Sequence, residues 1–224
     1  MKPISNPKRQ VLFQQFARIG HATSSPTRLA MISLLAHGEK TVDQLAQATD
    51  QTLASASAHV KVLRGACLVT SEKRGRQVFC RLAGDNVVRY WLALRALGEE
   101  LLPEAQDVVR QFQKDPDALA LLSPQELAAE LKSRRVTLLD LRPAEEFATA
   151  HLPGARNLPF SAIGPQSVAA LGLPARGRIY AYCRGPYCLM ARDGTRKLRQ
   201  LGVPVQRLPF SVPEWRATLG GSAS

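Results

Sequence analysis

The sequence predicts an α/β protein in two parts, and three observations predict it. The first half has helical apolar periodicity, interrupted by one cation-rich segment of period two. The second half alternates short apolar β-like runs with helical segments, as in an α/β unit. A polar seam near Lys114-Asp115-Pro116-Asp117 separates them and divides the 224 residues into residues 1–114 and 115–224. Hydrophobic residues at 45% and charged residues at 21% exclude a wholly disordered chain. The best apolar run, Val87–Leu97, contains Arg89 and Arg95 and falls short of the roughly 18–20 residues of a membrane span, so no membrane partner is expected. The segment Met1 to Arg9 has no apolar core, which argues against a secretory signal and for the cytoplasm.

Taken in order, Pro7 to Ile19 reads as a helix with Val11, Leu12, Phe16 and Ile19 on one face. Ser25 is a candidate N-cap with Pro26 at the first helical position, opening a helix that carries Leu29, Ile32, Leu34 and Leu35. Thr41-Val42-Asp43-Gln44 has capping-box spacing and starts a short helix to Ala48. After the turn Thr49-Asp50-Gln51, a second helix runs from Thr52 to Arg64 with Leu53, Ala56, Val60 and Leu63 as its apolar positions. The period then changes to two. Leu68 to Glu72 is one strand, Lys73-Arg74-Gly75-Arg76 a turn, and Gln77 to Leu82 the return strand. If Arg74-Gly75 forms the turn, Val69 pairs with Cys80 and Cys67 is its diagonal neighbour, a pair read as packed small hydrophobes or a redox couple.

The charge distribution gives this half a function. Thirty Lys and Arg against 18 Asp and Glu leave +12, which favours a polyanionic partner. Residues 51–81 hold six cations and one acid, a local +5. Two short helices, a tight turn and a basic hairpin make a winged helix-turn-helix. A helix entering the major groove must be slim and polar on its outer face, and Thr52, Ser55, Ser57, Ala58 and Lys61 supply that. The wing needs cations for phosphates, and Lys73, Arg74 and Arg76 supply those.

Pro26-Thr27-Arg28-Leu29, the run Thr41 to Ala46, Ser57-Ala58-His59-Val60-Lys61-Val62-Leu63-Arg64, and Leu68-Val69 before the wing resemble the ArsR family of dimeric repressors over roughly residues 10–110. The resemblance implies a homodimer on a palindromic operator in double-stranded DNA, with the long helical stretch Gly84 to Lys114 as the dimerisation helix. The family's metal-binding Cys-x-Cys should fall near Asp43–Ala46, where there is no cysteine, so no metal is expected.

The chain has four cysteines, Cys67, Cys80, Cys183 and Cys188, too sparse for a disulfide scaffold and lacking zinc spacing. Val136 to Arg142 reads as an apolar strand ending in charge. Ile179 to Tyr182 is a second, running into Cys183. The loop Arg184-Gly185-Pro186-Tyr187-Cys188 then feeds a helix from Leu189 to Gly202, which Asp193-Gly194 should weaken. Loop amides, a helix dipole and Arg184 all favour a thiolate at Cys183, making it the expected most reactive thiol, with Cys188 one turn on and less exposed. Cys188 either resolves the Cys183 sulfur into a disulfide or packs inward as a small residue. Six residues after Cys183 stands Leu189 rather than arginine, which argues against a cysteine phosphatase.

Asp140 to Phe147, Ala150-His151-Leu152-Pro153-Gly154-Ala155, Cys183 to Cys188 and Pro213-Glu214-Trp215 resemble a single rhodanese domain over about residues 117–220, with Phe210-Ser211 replacing the Gly-Gly that usually precedes the last motif. The resemblance implies a parallel sheet and a persulfide on Cys183 cradled by the loop amides. It also implies a framework role for Asp140 and Arg142, and for His151, which should bond the Pro-Gly turn. Together the two halves suggest a DNA-binding transcriptional regulator, a repressor, whose rhodanese-like domain carries or senses sulfane sulfur from a small molecule without a cofactor. The alternative is a sulfurtransferase whose first domain mainly dimerises.

Overall fold

A computed structural model describes residues 6–112, 119–132, 136–173 and 177–220. The seam at Lys114–Asp117 and the tail beyond Gly220 lie outside the described residues. The chain forms two compact units, Met1–Trp91 and Leu92–Ser224.

In the first unit, α1 (Pro7–Thr23), α2 (Pro26–Leu35), α3 (Val42–Ala48) and α4 (Leu53–Gly65) surround a three-stranded antiparallel sheet in the order β1 (Lys40–Thr41), β3 (Gln77–Leu82), β2 (Val69–Arg74). The expected caps are present. The Ser25 hydroxyl accepts from Arg28 N. Thr41 and Gln44 form a reciprocal capping box at 3.1 and 2.8 Å. Met31, Ile32, Leu45, Ala56, Leu63 and Cys80 are fully buried in one core. Leu53, expected in that core, is 52% exposed in the first turn of α4, before the helix reaches the core through Ala56. The hairpin register also differs from expectation. Arg74 pairs with Gln77, so Gly75-Arg76 is the turn, Val69 faces Leu82, and Cys80 faces Ser71. Gly75 takes φ +60°, which suits the first position of a II′ turn and settles the register in favour of that glycine. Cys67 lies outside the strand with φ +59° and is exposed, so it has no diagonal contact with Cys80.

Helix α5 (Asp85–Leu101) contains the division at Trp91/Leu92. The single stretch expected from Gly84 to Lys114 is broken: α5 stops at Leu101 and α6 (Pro103–Phe112) restarts with Pro103 at its first position, because proline cannot donate within a helix interior.

In the second unit, β4 (Val136–Asp140), β5 (Ala155–Asn157), β6 (Arg178–Tyr182) and β7 (Val205–Arg207) form a parallel sheet in the order β5-β4-β6-β7. The remaining described helices are α7 (Pro124–Leu131), α8 (Ala144–Thr149), α9 (Pro165–Ala170), α10 (Leu189–Gln200) and α11 (Val212–Leu219). Alternate strand residues enter two apolar clusters. Leu138, Tyr180 and Tyr182 join Leu127 and Trp215, whereas Leu139, Ile179, Ala181 and Cys183 join Ala191 and Leu198. Both faces are therefore covered, as a parallel sheet requires.

Helix α10 runs unbroken through Asp193-Gly194, and the glycine has a packing role that the sequence did not show. A Cβ there would lie 2.8 Å from Leu141 Cδ1, 3.2 Å from Ile163 Cδ1 and 3.3 Å from Phe160 Cδ2, so the glycine lets the helix close onto the sheet. Gly194→Ala should lose about 1–3 kcal/mol through overpacking despite its better helix propensity. Urea unfolding checks this, and a stabilised variant would mean that the three side chains move aside at no cost.

Candidate functional site

The first unit presents α4 and the wing on either side of a groove of about 1010 Å³, lined by Ser57, Lys61, Arg64, Thr70 and Ser71 among others. Thr52, Ser57, Ala58 and Lys61 are exposed, and Ser55 is half-buried. Two of these groups have local partners. The Thr52 hydroxyl caps α4 by accepting from Ser55 N at 3.2 Å, and the Ser55 hydroxyl donates to Gln51 Oε1 at 2.8 Å. Arg64, which sequence reasoning did not single out, lines the same groove. Its three-residue spacing from Lys61 was the available signal.

At the wing, Lys73 and Arg76 are exposed. Arg74 is exposed as well, and it also has carboxylate partners. Its guanidinium bonds Glu39 and Glu72, each at 2.6 Å, and lies 4.7 Å from the Phe79 ring centroid. The bonds to Glu72 and Glu39 hold its proton more tightly than usual. Arg74 therefore ties the wing to the residue before β1.

The second unit builds its site around the end of β6. Asp140 and Arg142 are both fully buried. Arg142 Nη2 donates to Asp140 Oδ2 at 2.5 Å and to the Ala150 carbonyl at 2.7 Å, while Arg142 N donates to Asp140 Oδ1 at 2.9 Å. This clamp joins β4 to the segment after α8. His151 does not bond the Pro-Gly turn. Its Nδ1 lies 3.0 Å from the Phe147 carbonyl, and its ring stacks on Phe147 at 4.0 Å, because the residue sits one turn past that carbonyl at the end of α8.

Cys183 follows β6 directly, and Cys188 is the N-cap residue of α10. Cys188 N donates to Gly185 O at 3.3 Å, which folds the loop back on itself. Gly185 has φ +93°, and a Cβ there would lie 3.3 Å from Glu214 Oε1, so this turn needs a glycine. Ser211 is buried and donates its hydroxyl to the Cys183 carbonyl. Glu214 Oε2 accepts from Ser211 N at 3.0 Å. Arg184 is pinned by the buried Glu146 through contacts of 2.6–3.2 Å. Tyr187 bonds Glu99, and its ring lies 5.3 Å from that of Phe112.

The exposure of the two cysteines reverses the expected order. Cys183 is 1% exposed, whereas Cys188 is partly open and Leu189 beside it is 52% exposed. The two thiols stand at the two ends of the loop and shift each other's proton affinity in opposite directions. The Cys183 thiol, the amides of Arg184 and Ala191 and the Arg184 charge outweigh burial and lower Cys188. The Cys188 thiol and burial push Cys183 up. The Cys188 sulfur is the more open of the two and has the amides of Arg184 and Ala191 beside it.

Among the described residues, no cluster of three or more His, Cys, Asp or Glu side chains could hold a metal ion, and no helix is long and apolar enough to cross a membrane. Residues 23–72 match a helix-turn-helix domain family and residues 123–218 a rhodanese-like domain family. The chain is 34% identical over 209 residues to the HTH-type transcriptional regulator Rv0324 of Mycobacterium tuberculosis, covering 93% of this chain and 90% of that protein. It is 30% identical to the HTH-type transcriptional repressor SmtB of the same species, over 43% of this chain and 71% of the other. Among solved structures it is similar to the homodimeric winged helix-turn-helix DNA-binding domain of a possible ArsR-family regulator from Mycobacterium bovis. That match has 32% identity over 46% of this chain and 95% of that one, at a TM-score of 0.42. The chain belongs to the ArsR-type helix-turn-helix transcriptional regulators that carry a C-terminal rhodanese-like domain.

Proposed function

We propose that this DNA-binding transcriptional regulator works as a cytoplasmic homodimeric repressor. In this reading residues 1–114 bind a palindromic operator and dimerise, and residues 115–224 take up sulfane sulfur on the cysteine loop. The observation that carries the DNA reading is the exposed, polar and cationic face of α4 beside the exposed cations of the wing. Ser57 and Lys61, four residues apart, stand one above the other on that face, where hydroxyl and ammonium groups can meet base edges and phosphates. A second copy of the chain would cover Val11, Leu12, Phe13 and Phe16 of α1, which are 48–56% exposed and form an apolar surface of the kind that marks an interface. The cysteine loop supports the sulfur reading, because the amides of Arg184 and Ala191 and the Arg184 charge favour the charged form of Cys188.

A salt titration of operator binding tests the DNA reading. Replacing Lys73 and Arg76 together with Ala should weaken binding to all sequences alike and reduce the slope of log affinity against log salt by about 2. The Ser57→Ala, Lys61→Ala pair should instead lower the preference for operator over random DNA. Unchanged affinity in that pair would remove α4 from the groove, and a monomer on DNA by light scattering would remove the dimer. Fast turnover of thiosulfate to cyanide with no operator preference would favour the sulfurtransferase alternative.

A further inference from the structure

One row of α5, at four-residue spacing, carries two kinds of contact. Val87 is buried in the core of the first unit, and Trp91 packs against that core. Arg95 and Glu99 come next on the same helical row and belong to the second unit. Arg95 Nη1 donates to Glu214 Oε1 at 2.7 Å, and its Nε lies 3.1 Å from Glu99 Oε1. Glu214 is the carboxylate that closes over the cysteine loop. Its Oε1 stands over Gly185, and its Oε2 accepts from Ser211 N at 3.0 Å. Ser211 in turn donates its hydroxyl to the Cys183 carbonyl. This chain of contacts joins Arg95 to the strand end that bears Cys183, and it is shielded from water: Arg95 is 21% exposed and Glu214 14%.

The loop also has space to move on this side. A cavity of about 200 Å³ is lined by Arg95, Glu99 and Phe112 from α5 and α6, by Pro186 and Tyr187 from the loop, and by Arg207. Arg207 donates Nη1 to the Pro186 carbonyl at 3.3 Å and Nη2 to the Phe112 carbonyl at 3.1 Å. The thiol end of the loop is filled instead, with Cys183 1% exposed in an apolar cluster that includes Leu139, Ala181 and Ala191. Interiors are close-packed, so a sulfur atom added there displaces its surroundings. The cavity is where the loop can yield.

We infer that α5 senses the sulfur load of the cysteine loop through the Gly185–Glu214–Arg95 contacts and passes it to the DNA-binding unit. This rests on the reading that the loop takes up sulfane sulfur. In the loading step a loop thiolate bonds the terminal sulfur of an inorganic polysulfide, the donor's S–S bond breaks, and the shortened polysulfide leaves with the electron pair. The loaded loop shifts toward the cavity and presses on Glu214. Val212 and Trp215, both buried, anchor α11 in the core, so the carboxylate turns while its helix stays. A turned carboxylate pulls on Arg95, and Arg95 stands on the row that carries Trp91 and Val87. Arg95 is a positioning residue, because it acts on the loop through Glu214. The coupling is reciprocal: if sulfur changes DNA affinity by some factor, DNA changes the loading equilibrium by the same factor.

The test uses the reduced full-length chain, before and after treatment with inorganic tetrasulfide without oxygen. The DNA is a duplex selected from a random pool for binding to the reduced chain. Loading is read by mass, as a gain of about 32 Da in tryptic peptide 179–184 or 185–192. Affinity is read by titration at one fixed salt concentration. Loading the wild-type chain should change its affinity for the duplex about fivefold or more. Arg95→Ala should take up sulfur and keep its affinity within about twofold. Arg95→Lys keeps a cation for Glu214 and should recover part of the response. A wild-type chain that gains sulfur with no change in affinity would overturn the inference and leave uptake standing, and so would a full response in Arg95→Ala. A chain that gains no sulfur would overturn the uptake reading and the inference with it. If Arg95→Ala folds poorly, the wild-type chain decides alone. At a fixed polysulfide composition, adding the duplex should shift the loading constant by the same factor, and an unmoved constant would overturn the coupling.

Discussion

An Asp140→Ala chain is expected to lose about 3–5 kcal/mol of stability in its second unit. Asp140 and Arg142 have no exposed surface, and the carboxylate takes three separate donors from Arg142: Nη2 at 2.5 Å, Nε at 3.0 Å and the backbone N at 2.9 Å. The guanidinium cannot answer the loss of its partner by releasing a proton, since its acidity is too low at any pH a protein tolerates. It would remain charged between the Tyr182 ring, 5.5 Å away, and the Ala150 carbonyl. The cost is that of an uncompensated buried charge, which separates this case from a surface pair such as Arg110–Asp107, worth about 0–1 kcal/mol. The double variant Asp140→Ala, Arg142→Met should recover most of the loss, because it removes the stranded charge and leaves apolar volume behind. Denaturant unfolding of the three chains checks both statements. Equal stability of Asp140→Ala and wild type would show that water or a rearranged acceptor already serves Arg142.

The parts legible in the sequence were those fixed by neighbours a few residues apart. The capping box Thr41–Gln44, the Ser25-Pro26 start and the two apolar strands could all be read because their partners lie within one turn or one pleat. Contacts between distant segments hid the rest. Nothing near Arg74 in sequence announces its bond to Glu39, 35 residues away. Gly194 looked like a flaw in a helix because its packing partners, Leu141, Ile163 and Phe160, come from other elements. The run Lys73-Arg74-Gly75-Arg76 allows two turns, and only the backbone conformation of Gly75 chooses between them. Leu53 fits the apolar spacing of α4 but sits one turn too early to reach the core.

The same distinction explains the cysteine loop. Its residues and its place between a strand and a helix could be read directly, and so could the expectation of a thiolate. Which sulfur is the more acidic could not, because that depends on how far each end of the loop is sunk and on the effect of each thiol on the other.

At pH 6, a limiting amount of iodoacetamide should therefore label Cys188 ahead of the other three cysteines. Cys188 is lowered relative to an ordinary thiol near 8.5, so a larger share of it is ionised at that pH. A more acidic thiolate is also a weaker nucleophile, which offsets part of that gain. The advantage shrinks as pH rises and ordinary thiols ionise, so the lower pH is the better discriminator. The sign follows from the lowered value: labelling of Cys188 should persist to lower pH than labelling of an ordinary thiol. Cys183 and Cys80 should react far more slowly, since both sulfurs are buried and both thiols are pushed up. Removing the Cys183 thiol in Cys183→Ala withdraws the largest support for the charge on Cys188, so its midpoint should rise. Cys183→Ser keeps a donor and should hold the midpoint closer to wild type. A midpoint that stays put in Cys183→Ala would mean that the amides and Arg184 alone carry the thiolate, and labelling of Cys183 before Cys188 would return the charge to the end of the strand.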